Sequence, residues 1–104
     1  MKETEQTTLH SAAAAQKRRV QKEQLNTAWK NGHIPAFTQA LSAIAKAQGM
    51  AETASKAGIS RQALYKALSN KGNPSLSTLM GIMKALGIQA IFHPTAEDAE
   101  QKPH

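Results

Sequence analysis

The sequence contains no cysteine, and this absence removes two classes of small protein. Without thiols, a chain of 104 residues has neither a disulfide framework nor a thiolate metal site. No apolar run approaches the roughly 18 residues that a membrane-spanning helix needs, and the N-terminus lacks the apolar core of a signal peptide. We therefore expect a cytoplasmic protein that does not enter a membrane.

Aromatic residues are also scarce, at 4% of a sequence that is 40% hydrophobic. Such a chain can bury one small core and has too little bulk for a large one. Alanine is abundant and β-branched residues are few, which favours helices over strands. We expect an all-α fold, a compact helical bundle with one short C-terminal strand.

Acidic residues are nearly absent from the body of the chain. Between Lys17 and Phe92 there are eleven cations and two acids, Glu23 and Glu52, which leaves this part at +9 in a chain of net charge +6. The other acids lie in the two tails. A basic body with acidic ends is typical of a polyanion-binding surface. The alternative is a soluble basic domain that binds no polyanion.

An arrangement of residues that could form a catalytic site is missing as well. The four histidines are scattered along the chain, at His10, His33, His93 and His104. Only Glu97 and Glu100 stand four residues from a histidine, and both belong to a tail that prolines interrupt. No glycine-rich phosphate loop is present. We expect a protein that is not an enzyme and that needs no metal and no cofactor.

The stretch from Met50 to Leu68 has the pattern of a helix-turn-helix. A first helix over 50–57 should end at Gly58, because glycine adopts the left-handed backbone of a helix terminus at little cost. Ser60 is the expected N-cap of a second helix over 61–69. The apolar stripe that would hold the second helix down consists of Ile59, Leu64 and Leu68.

The opposite face of this second helix carries the candidate DNA-binding residues. They are Ser60, Arg61, Gln62, Tyr65, Lys66 and Ser69, with Lys71 in the loop that follows. Arginine and glutamine can pair bidentately with guanine and adenine edges, while lysine, serine and tyrosine can bond phosphates. Arg61 and Gln62 lie in the first turn, the end by which recognition helices enter the major groove. The alternative is an ordinary helical hairpin with a polar outer face.

The remaining segments divide the chain into three parts. Residues 1–24 should be a partly disordered tail and basic helix, 25–93 the DNA-binding domain, and 94–104 a polar tail. Further helices are predicted over 9–30, 35–48 and 77–86, and a strand over 88–93. A lone strand cannot satisfy its own backbone, so the same segment of a second subunit is its expected partner, in a homodimer.

Three local features carry expectations of their own. Trp29 should pack on the core rather than stack on a base. The amides of Gly72 and Asn73, beside Lys71, are available to a phosphate. The apolar side of the last helix should consist of Leu76, Leu79, Met80, Met83 and Leu86.

Three stretches, AWKNGHIPAFTQALSAIAKAQGM, GISRQALYKALS and KGNPSLSTLMGIMKALGI, resemble the addiction-module antidote family. These are HigA-like antitoxins with a Cro/repressor-type helix-turn-helix, encoded beside small toxins of the RelE/HigB kind. The resemblance runs from about residue 25 to residue 92, roughly two-thirds of the chain. Thr53 departs from it, because the family usually has an aliphatic residue there. A buried hydroxyl without a partner would cost about 1 to 3 kcal/mol.

The resemblance implies the antitoxin of a type II toxin-antitoxin module. Such a protein neutralises a RelE/HigB-like toxin, commonly a ribosome-dependent ribonuclease, and represses its own operon. Its contacts with double-stranded operator DNA would be made by Ser60, Arg61, Gln62, Tyr65 and Lys66. One alternative is a stand-alone prophage or plasmid repressor without a toxin. Another is a protein-interaction module whose basic face meets an acidic partner.

Overall fold

The computed structural model describes residues 2–95 and the side chains of residues 12–95, and this part contains five α-helices and no strand. They are α1 (Lys2–Asn31), α2 (Ile34–Gln48), α3 (Met50–Ala57), α4 (Arg61–Ala67) and α5 (Leu76–Ala85). The predicted all-α class is confirmed for the described residues. Every predicted helix is present, and most of the predicted helix ends lie within two residues of those found. None of the described helices combines the length and apolar character needed to cross a membrane.

The first helix is longer than predicted. It begins at Lys2, and its sequence contains no glycine or proline that would stop a helix. Only its C-terminal part joins the core, through the buried side chains of Leu25 and Ala28. None of residues 12–24 is buried. The helix stops before Gly32, which has a φ of 65°.

The second helix lies at the centre of the core and contacts both α1 and α3. His33 caps it, because its Nδ1 accepts a hydrogen bond from the Ala36 amide at 3.1 Å, and Pro35 occupies its first turn. The buried apolar face consists of Phe37, Ala40, Leu41, Ile44 and Ala45. The helix therefore presents the surface on which α1 and α3 pack.

The fifth helix packs on α3, and the α2–α5 junction is tied by a hydrogen bond from Gln48 Nε2 to the Leu86 carbonyl, at 3.1 Å. Ser75 caps the helix, since its Oγ accepts from the Thr78 amide at 3.1 Å. Ile82, Met83 and Leu86 are buried. The predicted apolar side is only partly right, because Leu76 and Met80 are 68% and 61% exposed. These two residues lie one turn apart in α5, and both are open to solvent.

The strand predicted over 88–93 is not supported by the structure. The Ile88 amide donates to the Met83 carbonyl at 2.8 Å, and beyond it the chain runs to Thr95 without regular secondary structure. A strand forms only against another strand, and the described chain supplies none. Residues 96–104, which include most of the predicted polar tail, lie outside the described residues.

Candidate nucleic-acid interface

The turn between α3 and α4 determines the direction in which α4 leaves the core. Gly58 has φ 72° and ψ 28°, the left-handed conformation predicted for it. The Ile59 amide donates to the Ala54 carbonyl at 3.0 Å, which closes the end of α3. A Cβ on Gly58 would meet no atom within 4 Å, so the requirement for glycine comes from the backbone conformation rather than from crowding.

The beginning of α4 is capped as predicted. Ser60 has extended backbone angles, and its Oγ accepts a hydrogen bond from the Ala63 amide at 3.0 Å. The hydroxyl hydrogen of Ser60 remains able to donate to a second group. This cap therefore holds the first turn of α4 and leaves a hydrogen-bond donor at its tip.

The inner face of α4 is buried against the core. Leu64 is fully buried, and Ala67 and Leu68 are nearly so. Ala54 of α3 is also buried, as expected of a small residue in the crossing of two short helices. A helix of seven residues is too short to be stable alone in water, so burial of this face is what maintains it.

Thr53, a residue of α3, is buried and only 2% exposed. Its Oγ1 donates to the Gly49 carbonyl at 2.7 Å, one turn earlier in the chain. The hydroxyl therefore has a partner, and the cost that an unpaired one would carry is not incurred. The departure from the family pattern at this position leaves the packing of α3 intact.

The outer face of α4 is open to solvent. All seven predicted DNA-binding residues are exposed, namely Ser60, Arg61, Gln62, Tyr65, Lys66, Ser69 and Lys71. Within the described part of the chain, Arg61 and Gln62 have no side-chain partner, and the one ion pair joins Lys56 to Glu52 at 3.0 Å on α3. An arginine and a glutamine therefore stand together at the tip of an anchored helix, and neither is engaged by a carboxylate of the described chain.

In the loop after α4, part of the predicted phosphate-binding site is wrong. The Gly72 amide donates to the Ser69 carbonyl at 2.9 Å, so it is not available to a phosphate. The Ser69 hydroxyl likewise donates to the Lys66 carbonyl, at 2.8 Å. A Cβ on Gly72 would stand 2.5 Å from the Ala67 carbonyl oxygen, which explains the glycine by close approach. Lys71 remains exposed beside this closed loop.

A second exposed surface escaped the reasoning from sequence. Trp29 does pack on the core, with its ring edge-to-face on Phe37 at 5.3 Å, yet it is 46% exposed. Its other neighbour is Phe92, at 5.8 Å between ring centroids. The sequence predicts Ile91 and Phe92 in a paired strand, whereas in the structure both are about 70% exposed. Two large apolar residues beyond the end of the last helix were the signal for this surface.

Two comparisons with known proteins found relatives of this chain. A family model described as "Probable addiction module antidote protein" matches residues 5–94. An uncharacterized protein of Haemophilus influenzae is 48% identical over 65 residues, which is 62% of this chain and 67% of that relative. No solved structure matches the chain. The family match includes the whole of α2 to α5 and most of α1.

Proposed function

The chain belongs to the family of probable addiction module antidote proteins, and we propose that it is the antitoxin of a type II module that also represses its own operon. The observation that carries the DNA-binding part is the outward face of α4. Arg61 and Gln62 are exposed there, while Leu64 on the opposite side is fully buried. The helix can therefore meet a duplex without giving up its anchor.

In this proposal, α3 and α4 form a Cro/repressor-type helix-turn-helix and α4 enters the major groove by its first turn. Arg61 would read a guanine edge and Gln62 an adenine edge. Ser60, through its remaining donor, and Tyr65, Lys66 and Lys71 would bond phosphates. Ser69 contributes least, because its hydroxyl hydrogen is held by the Lys66 carbonyl.

The family description implies a toxin as the partner of this antidote. We propose a small toxin of the RelE/HigB kind, and the cytoplasm as the place where the two proteins meet. The same chain would then silence the toxin by binding it and limit its synthesis by occupying the operator.

A homodimer is part of the proposal, because two-fold symmetric operators are read by two-fold symmetric proteins. Its support is the pair Leu76 and Met80, apolar and exposed one turn apart at the start of α5, shortly after α4 in the chain. Mass measured by light scattering should rise toward that of a dimer with concentration. A mass that stays at 11.2 kDa at every concentration would contradict it.

Two measurements on the same pair of genes test the proposed function. Expression of the neighbouring reading frame should stop growth, and co-expression of this chain should restore it. The purified chain should also retard duplex DNA from upstream of its own gene, and less so as salt rises. DNA binding without any rescue of growth would favour a stand-alone repressor, and rescue without DNA binding would reject the role of α4.

A further inference from the structure

A groove of about 730 Å³ runs between α1 and the segment that follows α5. Its floor is apolar and is formed by Leu25, Phe37, Ile44, Met83 and Leu86. Its rim carries Arg18 and Lys22 on α1 and His93 on the opposite side. Among the described residues, no aspartate or glutamate lines it. The groove therefore combines an apolar floor with a basic edge.

Three large apolar side chains stand open at this groove. Ile91 and Phe92 are 70% and 71% exposed, and Trp29 beside Phe92 is 46% exposed. Contiguous exposed apolar side chains mark interaction sites more often than isolated ones do. Tryptophan in particular contributes heavily to protein interfaces. Among residues 12–95, nothing covers the outer side of this cluster.

The backbone of the segment beside the groove, from residue 89 to 95, has unpaired hydrogen-bonding groups. After the bond from the Ile88 amide to the Met83 carbonyl, the described chain up to Thr95 makes no further backbone hydrogen bond. Its backbone amides and carbonyls therefore remain available for hydrogen bonds to a bound peptide segment.

We propose that this groove is the toxin-binding surface, and that it takes an amphipathic segment of the toxin with acidic side chains beside apolar ones. The inference rests on the proposed antitoxin function. Apolar side chains would fill the floor, and carboxylates would meet Arg18 and Lys22. No residue of α3 or α4 lines the groove, so one chain can hold toxin and DNA together.

The charge of the rim argues against two other occupants. A second copy of the chain would bring its own Arg18 and Lys22 to the same place, and like charges facing each other disfavour association. The sugar-phosphate backbone of DNA would meet the basic rim but would leave Ile91, Phe92 and Trp29 uncovered. A protein segment with acidic and apolar side chains can pair with the basic rim and also cover the exposed apolar side chains.

The test uses the purified product of the neighbouring frame as the probe, titrated calorimetrically into the full chain. The double variant Ile91→Ser and Phe92→Ser should bind about tenfold or more weakly per chain. Its matched control is Val20→Ser with Ile34→Ser, which removes two exposed apolar side chains that line neither the groove nor the proposed dimer surface. The control should change toxin affinity by no more than about threefold, well below the hot-spot effect. Both variants should keep the helical circular dichroism of the wild type.

A second pair of variants tests the basic rim. Arg18→Glu with Lys22→Glu should weaken toxin binding, and this effect should shrink as salt is raised. Unchanged toxin affinity in the Ile91 and Phe92 variant would overturn the inference while leaving the antitoxin function in place. Weaker self-association in that variant would assign the groove to a second copy and overturn it too. If the wild type does not bind the toxin at all, the proposed function fails first.

Discussion

Helix α4 and residues 12–24 of α1 differ in whether buried side chains anchor them to the core. The seven residues of α4 are pinned by the buried side chains of Leu64 and Ala67. Residues 12–24 of α1 are a longer helical stretch, by nearly two turns, than the whole of α4. None of these residues is buried. A side chain has a defined orientation toward a ligand only if the opposite face of its helix is anchored to the core. This difference, rather than the number of charges, makes α4 the candidate reading helix.

The charges by themselves would have favoured α1. It carries four cations within six residues, Lys17, Arg18, Arg19 and Lys22, whereas α4 carries Arg61 and Lys66. A cation that moves freely can attract a phosphate, but it cannot select a base, because selection needs bidentate geometry. The following variants test this contrast, in order of the effect expected on the free energy of unfolding.

Leu64→Ala should destabilise the protein most. It removes a fully buried side chain and leaves a cavity under α4, so the free energy of unfolding should fall by about 2 to 5 kcal/mol. Val20→Ala on α1, where the side chain is 42% exposed, should change it by no more than about 0.5 kcal/mol. Urea unfolding followed by circular dichroism measures both. Equal decreases in the two variants would remove the contrast between the helices.

Gly58→Val should come next. A β-branched residue is strained in the left-handed conformation at this turn, at a cost of about 2 kcal/mol. Gly58→Asn is the matched control, because asparagine visits this conformation more readily, and it should retain most of the stability. A melting temperature that is the same in the wild type and the valine variant would show that the turn does not need its glycine.

Thr53→Val should have a smaller effect. The change keeps the shape of the side chain and removes the bond to the Gly49 carbonyl, which still accepts from the Thr53 amide at 3.0 Å. The free energy of unfolding should fall by about 1 kcal/mol. A fall of more than about 3 kcal/mol, measured by the same urea titration, would exceed the range for one hydrogen bond and show that this hydroxyl is needed to hold α3.

Surface cations should have the least effect on stability and should separate the two helices in DNA binding. Lys66→Ala with Lys71→Ala should lower the salt slope of log K by up to about 1.8, or about 0.9 for each phosphate that is no longer neutralised. Lys17→Ala with Arg19→Ala removes the same charge from α1 and should lower the slope less. Both pairs should stay within about 0.5 kcal/mol of the wild type in stability. A larger slope change for the α1 pair would place the DNA on the other helix.

The contrast also explains which features could be predicted from sequence. The turn and cap of α4 follow from local rules at Gly58 and Ser60, and the buried face of α2 follows from helical periodicity. The exposure of Leu76 and Met80 depends on which side of α5 meets α3, and spacing alone does not contain that information. The run from Ile88 to His93 has strand-like composition, but a strand also needs a distant partner.

The central claim is that Arg61 and Gln62 read bases from a helix fixed by its buried side. The most direct measurement is the ratio of affinities for the upstream operator and a scrambled duplex, in the wild type and in Arg61→Ala with Gln62→Ala. Removing each bidentate pairing should reduce discrimination by about 1 to 3 kcal/mol, so the ratio should fall by at least about tenfold. Binding to the scrambled duplex should persist, because Lys66 and Lys71 are unchanged. An unaltered ratio in the double variant would contradict the account.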